Sequence, residues 1–130
     1  MQRLRTRQQF KAVLGGILVA KTSHFALHRV ELNAVVCATT LGFSRSLFPI
    51  QETWLGAMAP KRWAKRAVTR NAIKRQIYTV SASFTQTLKP AAFLVRLRRE
   101  FSRADYSSAS SSSLKEAVRA ELLVLILAAV

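Results

Sequence analysis

The sequence predicts an α+β fold, a single-domain α-β sandwich over residues 1–130, and three observations predict it. Ile73, Ile77, Val80 and Phe84 recur at i, i+4, i+7 and i+11, the stripe of an amphipathic helix. The segment "SHFALHRVEL" alternates residue by residue, as a strand with two unlike faces does. "AFLVRLR" is a nearly continuous apolar run, the pattern of a strand covered on both sides. Half of the 130 residues are apolar, so one domain with a real core is within reach.

The elements follow in order. "RQQFKAVL", Arg7 to Leu14, places Phe10, Val13 and Leu14 at helical spacing, and Gly15-Gly16 stops it. From Ile17 to Leu32 the pattern is strand-like. Phe25, Leu27 and Arg29 fall on one side, and His24, Ala26, His28 and Val30 on the other. Residues 34–51 have no period, contain Gly42 and Pro49, and read as a mobile insertion. Glu52 to Met58 reads as a second strand, closed by Pro60. A helix is expected from about Val68 to about Leu88, before Pro90. "AFLVRLR" is the third strand. A serine-rich linker at 107–113 supplies an N-cap to a last helix that runs to about Leu127. Three or four strands with the helices on one face make the expected sandwich.

Composition narrows function. The 21 Lys and Arg face 6 Asp and Glu, for a net charge of +15. Such a surface attracts polyanions, nucleic acid first and an anionic membrane second. One cysteine, Cys37, allows no intrachain disulfide, so nothing points to an oxidising compartment and a cytoplasmic location is expected. The Arg-rich start is interrupted by Lys11 and Gly15-Gly16, which fits a secretory signal poorly. The apolar end "LLVLILAAV" is about half of what spans a bilayer and reads as the buried end of a helix. His24 and His28 have no third ligand nearby, so no metal site is expected. Glu31, Glu52, Glu100, Asp105, Glu116 and Glu121 are scattered. With no Ser-His-Asp set and no glycine-rich phosphate loop, no catalytic residue is expected in the protein itself.

The chemistry concentrates in "KRWAKRAVTRNAIKRQIY", Lys61 to Tyr78, which holds seven basic residues and no acidic one. At roughly 100° per residue, Arg70, Asn71, Lys74 and Tyr78 share a helical sector, with Arg75 on its flank. Lys61, Arg62, Lys65 and Arg66 lie in the connection leading into the helix. Arg grips phosphate bidentately and Lys adds a mobile point charge. Asn71 brings a donor and an acceptor for a ribose hydroxyl or a base edge. A solvated basic face is the competing reading, but like charges at i, i+4 cost a few tenths of a kcal/mol each and no carboxylate offsets them here. Arg96, Arg98 and Arg99 form a second basic patch, on or just beyond the third strand.

At "RNAIKR", residues 70–75, the sequence resembles the protein subunit of bacterial ribonuclease P, whose signature is an R-N-R-x-x-K-R-type helix. "WLGAMAPKR" is similar to the family's G-x-x-V-x-K-K/R segment, with Gly56, Ala59, Lys61 and Arg62 in matching places. "RLRTRQQFKAVL" is similar to its R-L-x-x-x-x-x-F-x-x-V-F/L start, and "SHFALHRV" to its first strand. The second Arg of R-N-R is Ala72 here, and a basic residue one turn later is Tyr78, which could stack on a base.

The resemblance implies an α-β sandwich with a small mixed sheet and a left-handed crossover. It implies a ribonucleoprotein in which the RNA subunit, with Mg2+ bound mainly by that RNA, removes the 5′ leader of precursor tRNA. The implied partners are ribonuclease P RNA and the leader, with no membrane and no obligate protein partner. The RNA-contacting residues would be Lys61, Arg62, Lys65, Arg66, Arg70, Asn71, Lys74, Arg75 and Arg98. Phe10, Phe25 and Tyr78 would line a leader cleft between the basic helix and the sheet; for Phe10 and Phe25 a core position is the alternative. Trp54 and Trp63 read as packing or edge residues. Two rivals stand beside this reading: a general or ribosomal-type RNA-binding protein, and a membrane-surface protein.

Overall fold

Strand alternation and one helical stripe set the layers of the structure, a computed structural model that describes residues 1–32, 36–38, 44–46, 48–101 and 112–129. The elements are β1 (Gln2–Arg3), α1 (Arg7–Leu14), β2 (Ile17–Lys21), β3 (Phe25–Val30), β4 (Val36–Ala38), β5 (Ser44–Ser46), β6 (Trp54–Met58), α2 (Ala67–Ala82), β7 (Ala92–Leu97) and α3 (Ser112–Leu127). Five strands form one sheet in the order β1-β6-β7-β3-β2. The β1–β6 and β6–β7 pairs are parallel, and β3 is antiparallel to both β7 and β2. The sheet is therefore mixed. Its parallel β6–β7 neighbours are joined through α2, the crossover to which the implied handedness refers.

Each face of the sheet has its own core. Phe25, Leu27, Leu55, Ala57, Phe93, Val95 and Leu97 point toward α2 and α3, where they meet Ile73, Ile77, Val80, Val118, Leu122 and Leu125. Trp54, Ala92 and Leu94 point the other way, toward Leu4 and Val13, with Phe10 packed on the edge of that cluster. The expectation of helices on one face is corrected: α1 covers one side and α2 with α3 the other. The inward alternation of β6 and β7 leaves both faces apolar, so both need cover.

Several boundaries differ from expectation for local reasons. The strand read over Ile17 to Leu32 is a hairpin, β2 and β3, turned at Thr22–His24, with a register shift between Leu18 and Ala20. α2 ends at Ala82 rather than near Leu88. Beyond it the chain bonds at i−3, from Ser83 to Val80 and from Phe84 to Ser81, and Thr85 Oγ1 donates to the Ala82 carbonyl at 2.9 Å. Ser and Thr side chains compete with the helix ladder in this way. Within the expected insertion at 34–51, β4 and β5 pair with each other as a separate antiparallel ribbon, and most of its other residues lie outside the described residues. Of the serine-rich stretch, 107–111 also lies outside them, while Ser112 and Ser113 open α3. Among the described residues no helix is long and apolar enough to cross a membrane, and no three His, Cys, Asp or Glu side chains gather to hold a metal.

Candidate nucleic-acid interface

The basic segment begins as β6 leaves the sheet. The Pro60 carbonyl accepts from the N–H groups of Trp63 and Ala64, each at 3.1 Å, and turns the chain. Arg70, one turn into α2, reaches back: its Nη1 donates to the carbonyls of Ala64 at 3.1 Å and Lys65 at 2.8 Å. This pins the connection to the helix and leaves Lys61, Arg62, Lys65 and Arg66 exposed around its N-terminal end. The N-cap residue Arg66 makes no side-chain cap bond, and the first turn holds no acidic residue. The free N–H groups and helix dipole therefore add positive potential to that of the side chains. Farther along α2, Asn71 and Arg75 are exposed and Lys74 is half-buried, while Ile73, Ile77 and Val80 anchor the opposite face. Arg62 lies 5.1 Å over the ring of Trp63, which packs partly on the core.

Carboxylates sit elsewhere. Glu52 takes the N-terminal amine at 3.9 Å and Gln2 Nε2 at 3.0 Å, and Glu121 takes His24 Nδ1 at 2.6 Å. Among the described residues none of the seven cations from Lys61 to Arg75 pairs with a carboxylate. Their mutual repulsion is thus uncompensated among the described residues, and a line of phosphates would relieve it.

Tyr78 belongs to this face. Its hydroxyl accepts from the Ala57 N–H at 3.3 Å, on the part of β6 that β1 does not reach. The Arg3 guanidinium lies 4.0 Å above its ring. Arg3, Lys74, Arg75, Tyr78, Thr79 and Ala82 line a cavity of about 510 Å³. The sequence reading missed Arg3. The charge of "RLRTR" is plain in the sequence, but the parallel pairing of β1 with β6 that carries Arg3 to α2 has no local signal.

The three proposed cleft aromatics do not form one cleft. Phe25 is corrected: it is fully buried in the core under α2 and α3, tilted against Phe101 at 6.0 Å, because strand alternation turns it with Leu27 to that face. Phe10 is half-buried on α1, on the opposite side of the sheet, where it presses on Gly56. Tyr78 approaches the neighbouring Ala57 from the α2 side. Arg98 stands apart from the basic helix: its Nη1 donates to the carbonyls of Thr22 at 2.8 Å and Ser23 at 3.2 Å, clamping the β2–β3 turn. That turn is also held to α3 by Glu121, which accepts from the His24 N–H at 2.8 Å. On the α1 face, Arg96 Nε donates to His28 Nε2 at 3.4 Å. Burial first, and then the Arg96 charge, lower the His28 pKa from its usual 6.5.

Comparison with known proteins follows this geometry. A family model described as Ribonuclease P matches residues 1–121. No curated protein matches the chain. Among solved structures, the chain is similar to the RNase P protein of Staphylococcus aureus, at 16% identity and a TM-score of 0.68, over 98% of this chain and 94% of that one. It is similar to the RNase P protein from Thermotoga maritima at 17% identity and a TM-score of 0.62, over 96% and 94%. At these identities the structural likeness speaks for the fold, which among the described residues is a mixed five-stranded sheet with three helices. The family follows from the sequence match, which runs from the β1 arginine through the basic helix into α3: the chain belongs to the ribonuclease P family.

Proposed function

We propose that this chain positions RNA within ribonuclease P, binding the catalytic RNA through the cations of α2 and of the connection before it. Membership of the family makes it the protein subunit of that ribonucleoprotein, in tRNA 5′ processing. Lys61, Arg62, Lys65, Arg66, Arg70, Asn71, Lys74 and Arg75 carry the contact with the RNA subunit. The 5′ leader of precursor tRNA is taken as a single strand, along Phe10 on one side of the sheet and Tyr78, beneath the Arg3 guanidinium, on the other. Arg98, engaged with the β2–β3 turn, contributes charge at a distance. Hydrolysis is left to the RNA subunit, whose Mg2+ would supply charge stabilisation at the leader phosphodiester, while this chain binds and places the RNA and supplies no active site of its own. The complex works in the cytoplasm, and the chain acts as one domain without an obligate protein partner.

One observation carries this reading: seven clustered cations with no carboxylate partner among the described residues. A reconstitution tests it. The protein is mixed with ribonuclease P RNA from the same source and a leader-bearing precursor tRNA at low Mg2+, and 5′ maturation is followed. Wild-type protein should raise the rate, and the Arg70→Ala/Lys74→Ala double variant should not. Tight RNA binding by a folded wild-type protein without any stimulation would move the chain to a general RNA-binding role.

A further inference from the structure

We propose that the cavity between β1 and α2 is a subsite for one unpaired RNA nucleotide, its base stacked on the Arg3 guanidinium and its phosphate held by Lys74 and Arg75. The inference deepens the ribonuclease P reading and rests on it.

The platform is already assembled. Arg3 is exposed, and its guanidinium carbon lies 4.0 Å from the centre of the Tyr78 ring, so the group is open to solvent on the side away from the tyrosine. Both layers are held from behind. The Tyr78 hydroxyl is fixed by the Ala57 N–H, and the backbone on either side of Arg3 is fixed by Gln2 N–H to the Thr53 carbonyl and Leu4 N–H to the Leu55 carbonyl, each at 2.9 Å. A guanidinium seated on an anchored aromatic ring can offer its plane as a stacking surface for a nucleobase. Lys74 and Arg75 line the same cavity, Thr79 adds a hydroxyl, and among the described residues no carboxylate lines it. A cavity of about 510 Å³ is in the range that holds small ligands.

Two features select the ligand. An inorganic anion would need the cations but not the flat Arg3–Tyr78 pair. A base within a duplex has both faces covered by its neighbours, so only an unpaired or extruded base could lie on Arg3. The nucleotide can come from the catalytic RNA or from the leader, and the chemistry of the subsite is the same for both.

Arg3→Lys tests the inference, since it keeps the charge and removes the plane. Binding is measured by fluorescence anisotropy over a salt series against three RNAs: the ribonuclease P RNA subunit, a single-stranded oligonucleotide of leader sequence, and a fully paired duplex. Circular dichroism and thermal melting check that each variant is folded. Arg3→Lys should weaken binding about fivefold or more to the RNA subunit or to the oligonucleotide, with an unchanged salt slope and no effect on the duplex. The RNA that responds identifies the source of the nucleotide. Tyr78→Leu should reproduce the loss. Wild-type affinity of Arg3→Lys for all three RNAs, or an equal loss on the duplex, overturns the subsite. Failure of wild-type protein to bind the RNA subunit would instead count against the ribonuclease P reading, and the oligonucleotide arm still decides the subsite.

Discussion

Gly16 sits where α1 hands the chain to β2, and a methyl group there has nowhere to go. A Cβ would lie 2.4 Å from the Arg29 carbonyl oxygen and 3.1 Å from that of Val13, both backbone atoms of packed elements. Gly16→Ala should therefore lose about 1–3 kcal/mol of stability in urea unfolding. Its neighbour Gly15 is the opposite case: its nearest contacts are at 3.6 and 3.8 Å and its φ is −81°, so Gly15→Ala should be neutral or gain up to about 1 kcal/mol. The pair was seen in the sequence only as a helix stop, because a close approach by Arg29 depends on β3 folding back beside it. His28 makes a second prediction at this scale. Its Nε2 accepts from Arg96 and so must be unprotonated, which puts the ring proton on Nδ1, where no partner among the described residues meets it. The pKa is lowered in the folded chain, so the unfolded chain binds the proton more readily. The His28 contribution to stability is complete above the unfolded value of about 6.5 and is lost as pH falls from there through the lowered folded value. Melting temperature measured from pH 7.5 to 5.5 should fall in the wild type and fall less in His28→Gln. Parallel curves would remove His28 from the account.

At the scale of elements, α1 and α2 were readable for different reasons. The bounds of α1 match expectation because its signals are local: Thr6 accepts from the Gln9 N–H at 3.1 Å and Gln9 Oε1 returns to the Thr6 N–H at 3.1 Å, a capping box, and Gly15 closes the other end. The basic face of α2 was equally plain from spacing. Its partition of labour was not, because Arg70 has a task that charge alone does not reveal. By holding the Ala64 and Lys65 carbonyls it fixes the path of four other cations. Phe25 was misplaced for a related reason. Alternation correctly put it with Leu27, but only the packing of α2 and α3 decides that this side is buried. Arg70 and Arg75 should then fail differently. Arg75→Ala removes an exposed charge, so the slope of log affinity against log salt should flatten by about one with no loss of folding stability. Arg70→Ala should flatten the slope, lose about 1 kcal/mol of folding stability, and weaken RNA binding more than Arg75→Ala does. Salt-series binding and urea unfolding of the same two variants separate the cases, and identical behaviour would deny Arg70 its second role.

Across the whole molecule, the sheet divides structure from charge. Its centre, β7 and β3, is covered on both faces and holds the fold, while the edge at β1 and β6 carries Arg3, Tyr78 and the basic helix. The sequence showed the cations and the core-forming runs, but not that a two-residue strand would join the first to the second. With a net charge of +15, this arrangement is under its own repulsion when no RNA is present. Salt should therefore act with opposite sign on folding and on binding. Raising NaCl from about 20 to about 300 mM shortens the Debye length from roughly 20 Å to roughly 6 Å, which screens cation from cation along α2 and its approach. The melting temperature of the free protein should rise over that range. Affinity for RNA should fall steeply over the same range, because each phosphate contact releases counterions that salt opposes. Neutralising one of the exposed cations, as in Arg75→Ala, should reduce both responses together, since one charge contributes to both. A free protein whose melting temperature is flat or falls with NaCl would mean that the clustered charge is tolerated without strain, and the argument from an uncompensated cluster to an RNA partner would lose its physical basis.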